Sequence, residues 1–439
     1  MGKRQPKGLI IQNNPFSYTT GNGKTITSMF SEWESANLAQ IFTSNMQPDF
    51  SICESYFKMS DATALTSFFS KKPYGTEILA NTQIQNEESN LSTVRHNGLR
   101  VKIHNWMSES AFVASVRDFV WRKSKWNNPK LVKWLDAVNP QFVFLSAGNM
   151  SVFYDMALYI SDKYHIPLFA HIGDDYFIYR RSLNLWTNLH RRKMSRKLSE
   201  VIAKSQCVIA ICDKMARIFH EKYGGNYLTC MNSVEIATEP EIKERNTNSG
   251  IRLVYAGNLG INRWKILNLI GRALLELQQE GIYAELDVYS SFEPDTRILK
   301  KLTIPGVMKF CGSVFGSELK EVKNCADILV HVEAFEKRYC QLTYTAMSTK
   351  IPEYLSTGRI ILAVGPQEAA SVEFLQQNEV ALVVTEYSMD AVKEQIRRYA
   401  GSEGKEFVEM RKRAVQIARD KFSNTINAKR IYETITKKC

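Results

Sequence analysis

Residues 348–366 read STKIPEYLSTGRIILAVGP. Ser348 and Thr349 carry hydroxyls suited to ending a loop and capping a helix. Pro352 is tolerated only in a first helical turn, where its missing N–H is not needed, so the helix begins just before it. Leu355 closes one turn, and Gly358 stands just past the helix end, where a left-handed residue is common. RIILAVG then reads as a buried strand stopped by Gly365 and Pro366. The stretch therefore predicts a loop, a short helix, a tight turn and a core strand. It gathers Lys350, a helix N-terminus and free loop N–H groups, the ingredients of an anion site. Glu353, one turn in, is a carboxylate able to accept hydrogen bonds from the hydroxyls of a sugar.

Working outward, residues 251–402 alternate strictly between short apolar runs and helical patterns: IRLVYAG, INRWKILNLIGRALLELQQEG, YAELDVYS, DTRILKKL, VMKFCGS, SELKEVKNCA, DILVHVEA, then the stretch above, then AASVEFLQQN, VALVVTE and DAVKEQIRRYA. Repeated strand–helix units predict a parallel sheet with helices on both faces. TEPEIKERNTNSG, at 238–250, is polar without apolar periodicity and reads as a linker. Before it, 1–237 holds GLIIQ as a first strand, a loop with Gly21 and Gly23, QFVFLSAG, SVFYDMALYISDKYH, IPLFAHIGDDYF and SQCVIAICD in the same alternation. Residues 403–439 read as one helical segment, with Phe407, Met410, Ala414 and Ile417 on a stripe. VRDFVWRKSKWNNPKLVKWL, within the poorly patterned 60–135, reads as an amphipathic helix with a basic face. Its Trp121, Trp126 and Trp134 leave core packing, lipid and nucleic acid open.

The pattern S-x-K-x-x-E-Y-L-x-x-G-R-x-I-L resembles the donor-binding segment of retaining glycosyltransferases of family 4, which have the GT-B fold. The resemblance implies two Rossmann-like domains facing a cleft, with a C-terminal helix crossing back. It implies that Glu353 holds the ribose of a nucleotide sugar, and that Ser348, Thr349 and Lys350 line the donor site. In that family a second glutamate precedes by eight positions; here Thr345 stands at the family's first acidic place. After the strand at 251–257 a basic residue neutralises the diphosphate: Arg263 or Lys265 matches, and Asn258 stands where many members carry arginine. His171, at a strand end, matches a histidine that points at the donor sugar. The loop with Gly21 and Gly23 resembles the acceptor-side loop, and Asp174 falls on that side as well. Asp174-Asp175 also reads as a loop or N-cap pair, or as a weak metal candidate. The implied activity is metal-independent transfer of a hexose from a nucleotide-diphosphate sugar, with no cofactor, to a glycan or lipid-linked acceptor. Retention and surface polysaccharide assembly follow from the same resemblance. The alternative is a non-catalytic glycan- or nucleotide-binding subunit of the same shape.

Composition sets the outer limits. The chain has 439 residues, enough for two domains, and 44% hydrophobic content. No apolar run nears the ~20 residues that cross a bilayer. MGKRQPKG is basic but lacks an apolar segment behind it, which argues against a signal peptide. Eight cysteines show no zinc spacing, and a reducing cytoplasm is the expected setting. The net charge of +12 calls for an anionic partner. YRRSLNLWTNLHRRKMSRK carries seven Lys and Arg without an acid, over 180–197, and reads either as a solvated helix face or as a surface for anionic membrane. The expected location is the cytoplasm, with peripheral attachment to the inner face of the cell membrane in the second case. GNGKT lacks the first glycine of a phosphate loop, since position 18 is Tyr. No strand is followed by G-x-G-x-x-G, which removes a dehydrogenase. The charge joins no recognised nucleic-acid module, so no nucleic-acid partner is expected.

Overall fold

Runs such as GLII, FVFL and IILAV are apolar throughout, as expected when helices cover both faces of a parallel sheet. The structure, a computed structural model, describes residues 5–18, 21–80, 82, 111–175, 184–231, 233, 234, 236, 250–401 and 405–439. Two compact units divide the chain: unit 1 is Met1–Cys230 with Asn424–Cys439, and unit 2 is Met231–Ser423. Most of the linker expected at 238–250 lies outside the described residues.

Unit 1 contains β1 (Gly8–Ile11), α1 (Gly21–Met29), β2 (Leu38–Phe42), β3 (Ser55–Lys58), α2 (Asp61–Ser70) and β4 (Thr76–Ile78). It continues with α3 (Ala111–Lys123), α4 (Pro129–Val138), β5 (Phe142–Ala147), α5 (Ser151–Tyr164) and β6 (Leu168–Ile172). Its last elements before unit 2 are α6 (Leu185–Lys204), β7 (Ser205–Ala210), α7 (Asp213–Tyr223) and β8 (Tyr227–Thr229). The eight strands lie in the order β4-β3-β2-β1-β5-β6-β7-β8. Every pairing is parallel except β3 with β4.

The Trp-rich segment departs from the single helix expected. Asn128 accepts hydrogen bonds from the N–H groups of Lys130 and Leu131 at 2.9 and 3.3 Å, and Pro129 opens a new helix. The result is two helices, α3 and α4, with a break at the N-N-P sequence. Trp121 and Trp134 are buried in the core, and Trp126 stacks edge-on against Tyr159.

Unit 2 holds β9 (Ile251–Ala256), α8 (Arg263–Gln279), β10 (Ala284–Tyr289), α9 (Thr296–Lys301), β11 (Met308–Gly312), α10 (Gly316–Asn324) and β12 (Ile328–Val332). It ends with α11 (Lys337–Thr343), α12 (Lys350–Ser356), β13 (Ile360–Val364), α13 (Ala370–Gln377), β14 (Leu382–Val384), α14 (Met389–Gly401) and α15 (Lys405–Phe422). Its six strands, all parallel, lie in the order β11-β10-β9-β12-β13-β14. The central stretch behaves as its residues dictate: α12 begins two residues before Pro352 and runs about one turn past it, and Gly358 adopts φ +63° just beyond its end. Arg411 of α15 donates to the carbonyl of Gly358, fixing that turn.

The final segment also departs from one continuous helix. It is broken at Ser423 into α15, in unit 2, and α16 (Asn424–Thr436), in unit 1. There Ile431 and Ile435 join the core of the unit 1 sheet, and Tyr432 meets Trp33 at 4.8 Å between ring centroids.

Candidate functional site

In an open parallel sheet a ligand sits beyond the carboxyl ends of the strands, where the strand order reverses. In unit 2 that place lies between β9 and β12. Side chains from several elements meet there: Tyr255 from β9, Arg263 from the first position of α8, His331 and Glu333 from β12 and its exit, and Lys350 from the first position of α12.

Arg263 donates to Glu333 Oε2 through Nη2 at 2.9 Å and through Nε at 3.3 Å, and its Nε also reaches the Val332 carbonyl. Glu333 is 1% exposed. Burial opposes the arginine's charge, but the carboxylate outweighs it and holds the Arg263 pKa above its ordinary value. Lys350 has no such anchor. Its ammonium nitrogen is buried, without a hydrogen-bond partner among the described residues, 4.2 Å above the Tyr255 ring. Burial first, and then the Arg263 charge, push its pKa down to about 7. A β-carbon at Gly257 would lie 2.3 Å from that nitrogen, so any larger residue there would displace the Lys350 ammonium. His331 Nε2 lies 3.4 Å from Glu333 Oε1, and burial followed by the two cations holds the imidazole neutral. An anion arriving here would meet a desolvated lysine that no carboxylate already occupies.

The other predicted residues surround this point. Glu353 lies one turn into α12, with Oε2 2.7 Å from Lys323 Nζ of α10. The Ser348 N–H donates to Ser371 Oγ at 2.9 Å, while Ser348 Oγ accepts from the Lys350 N–H at 3.4 Å. Thr349, expected to cap the helix, stands at the cap position without a side-chain bond. Asn258 Oδ1 accepts from the Gly260 N–H at 2.6 Å and closes the loop. Of the two cations that the sequence leaves open, Lys265 is tied to Glu336 at 2.7 Å, whereas Arg263 faces Lys350. The loop just before Arg263 is strained, with Ile261 and Asn262 both in the left-handed region at φ +48° and +60°. The sequence reading missed Glu333, which its own pattern marks as a charged residue closing the apolar run of β12. It also missed Lys323, which only tertiary contact brings to Glu353.

In unit 1, His171 lies in β6 near its carboxyl end. Its ring nitrogens are buried without a hydrogen-bond partner among the described residues, and burial lowers its pKa to about 4. Asp174 is exposed beyond the strand, while Asp175 is 4% exposed. Gly21 and Gly23, expected in a loop ahead of the helix, instead form the first turn of α1. Among the described residues no group of three or more His, Cys, Asp or Glu gathers as a metal set. The basic segment becomes α6 from Leu185 onward, with 180–183 outside the described residues. Two of its lysines are engaged: Lys193 Nζ lies 2.9 Å from Asp118 Oδ2, and Lys197 pairs with Asp155. Leu185, Trp186 and Leu189 remain exposed at 70%, 57% and 47%. Arg192 and Arg196 stand exposed in the following turns. Among the described residues no helix is long and apolar enough to cross a membrane.

Two parallel-sheet α/β units of Rossmann type, in this chain order, make up the GT-B fold. Among solved structures the chain is similar over 98% of its length, and 100% of the other chain, to an α,α-trehalose-phosphate synthase from Burkholderia xenovorans in complex with glucose-6-phosphate (9% identity, TM-score 0.60). HepE from Anabaena, in complex with UDP and glucose, matches at 13% identity and TM-score 0.58, covering 98% of this chain and 99% of that one. A glycosyltransferase from Rickettsia africae matches at 11% identity and TM-score 0.59, covering 99% and 100%. No protein-family model matches the chain, and no curated protein does.

Proposed function

We propose that the chain is a glycosyltransferase that moves a hexose from a nucleotide-diphosphate donor to a hydroxyl of a glycan or lipid-linked acceptor. The observation that carries this reading is the buried, unpartnered Lys350 ammonium beside Arg263 at the switch point of unit 2, one turn from Glu353. The fold, shared with enzymes whose structures hold UDP or sugar phosphate, supports the same reading.

The donor diphosphate would lie against Lys350 and Arg263, and the ribose against Glu353. As the bond from the anomeric carbon to the diphosphate oxygen breaks, the diphosphate keeps the electron pair. Two fixed cations in a dry site then stabilise the growing negative charge, the effect on which such a transfer depends most. The acceptor oxygen forms the new bond from the face the diphosphate leaves, retaining configuration, and its proton passes to the departing phosphate oxygen. His171 would contact the transferred sugar as a neutral imidazole. With two cations already placed at the diphosphate, no metal is needed in this scheme. We place the enzyme in surface polysaccharide assembly, on the cytoplasmic face of the membrane. Leu185, Trp186 and Leu189 would enter the headgroup region there, and Arg192 and Arg196 would meet anionic lipid.

A second reading, a subunit that binds nucleotide without turnover, draws on Thr345, a buried residue at the family's first acidic place. Thermal shift with UDP, GDP, ADP and dTDP tests the donor site, since a ligand at 100 times its dissociation constant adds about 2.7 kcal/mol. Release of labelled sugar from the matching donor then separates enzyme from subunit. If none of the four nucleotides stabilises the protein, the proposal fails.

A further inference from the structure

Unit 1 has its own switch point, between β1 and β5. The strand register sets a polar row across it. Ile11 pairs with Leu145, so the next step puts Gln12 beside Ser146, and Ser146 pairs with His171. Strand alternation sends these side chains to the face that carries Ile10, Phe144 and Phe169 in the core. That face is covered by Ile26, Met29 and Phe30 of α1 and its exit, together with α16. Gln12 is 3% exposed and His171 is 5% exposed. Among the described residues, neither amide atom of Gln12 and neither ring nitrogen of His171 has a hydrogen-bond partner.

Buried polar atoms in native proteins are partnered almost without exception. Four such atoms in one row, at a switch point, leave hydrogen-bonding positions that groups from outside the chain, water or a ligand, can fill. The chemistry of the row defines those groups. An amide offers two protons and an acceptor oxygen, and a neutral imidazole offers one donor and one acceptor. Ser146 adds a hydroxyl between them. The row holds no charge, so it does not select a phosphate or carboxylate. Its two ends are separated by two strand spacings, roughly 9–10 Å.

We infer that Gln12, Ser146 and His171 form the floor of a subsite for a neutral saccharide ring, with Gln12 as a specificity-determining residue for its hydroxyls. The inference rests on the reading above for the choice of saccharide among polyols. Gln12 lies in a unit separate from Lys350 and Glu353, so the two can be tested apart.

The full chain, wild type and Gln12→Leu, is titrated with D-glucose, D-galactose, D-mannose and N-acetyl-D-glucosamine by ligand-observed NMR. UDP binding is measured in parallel by calorimetry. Wild type binds at least one of the sugars, and Gln12→Leu weakens that sugar tenfold or more. Its Tm stays level or rises, because leucine fills the space without two orphaned polar atoms, and its UDP affinity is unchanged. Ser146→Val, a second variant, weakens the same sugar. Equal sugar affinity in wild type and Gln12→Leu overturns the inference, as does a fall in Tm that marks the amide as structural. It is also overturned if none of the four sugars binds and a crystal shows water alone on Gln12. A wild type that binds sugar but not UDP counts against the nucleotide reading and leaves this subsite standing.

Discussion

Lys323 Nζ and Glu353 Oε2 meet at 2.7 Å across two helices, with the lysine side chain 11% exposed and the carboxylate 38% exposed. The pair fixes one carboxylate oxygen and leaves the other able to accept from a ligand hydroxyl. Hydrogen bonds to a charged acceptor contribute ~1.5–3 kcal/mol, so Glu353→Ala should weaken nucleotide binding roughly 10- to 100-fold. Lys323→Met, which releases the carboxylate without removing it, should cost less. Calorimetry with the preferred nucleotide measures both, and unchanged affinity in a folded Glu353→Ala protein removes this residue from the site.

Lys350 should make affinity and stability move in opposite directions with pH. Its folded pKa of about 7 lies below its ordinary value of 10.5. The unfolded chain therefore binds more protons between those values, and stability rises with pH across that window. A bound diphosphate favours the charged lysine, so affinity should fall as pH climbs from 7 to 9, and binding at pH 8 should take up protons. Calorimetry in buffers of different ionisation heat reads the uptake. Lys350→Met should lose both trends; a pH profile identical to wild type would falsify the role given to this group.

Glu333 compensates a largely buried guanidinium, with side-chain exposures of 2% and 18% for Glu333 and Arg263. Breaking a buried pair costs about 3–5 kcal/mol. With a Tm shift of ~2–4 °C per kcal/mol at this size, Glu333→Gln should lower Tm by roughly 6–20 °C. A nucleotide diphosphate should recover part of the loss by giving Arg263 a new anion. Differential scanning fluorimetry with and without UDP checks both.

On α6 the exposed cations are Arg192 and Arg196, the latter 3.2 Å from Glu200 in a surface pair, while Lys193 is held by Asp118. Each basic residue near anionic headgroups contributes ~1 kcal/mol, so the Arg192→Gln, Arg196→Gln double variant should bind vesicles containing phosphatidylserine about 30-fold more weakly. Co-sedimentation at low salt reads the change. Equal binding of both proteins would leave α6 as a solvated helix.

The repeating strand–helix pattern of 251–402 was legible because each strand there is a short, mostly apolar run bounded by turn residues and the longer helices have a clear period. The short helix at Pro352 was legible for a local reason, since Pro and Gly limit where a turn can begin and end. The paired breaks were harder. Asn128-Pro129 carries a cap signal, but the tryptophans on both sides keep one amphipathic period running through it. Ser423-Asn424-Thr425 are cap types but hold neither Pro nor Gly, and the helices on the two sides fall in different units. The strands β2 to β4 hide among short, polar-flanked runs whose partners lie far away in sequence. At the site, Lys350 and Glu353 could be read from one local motif. The Lys323 contact could not, because thirty residues separate it from Glu353.

The placement of α16 bears on how the protein is made. Ile431, Ile435 and Tyr432 cover the unit 1 core, yet they leave the ribosome only after all of unit 2. At about 5–20 residues per second, the 193 residues from Met231 to Ser423 take roughly 10–40 s to synthesise. For that interval the nascent first unit carries an open apolar face while its neighbour folds beside it. Unit 1 is thus the first to be translated and the last to be finished, and a ribosome stalled within unit 2 would hold out a sticky sheet for chaperones to shield.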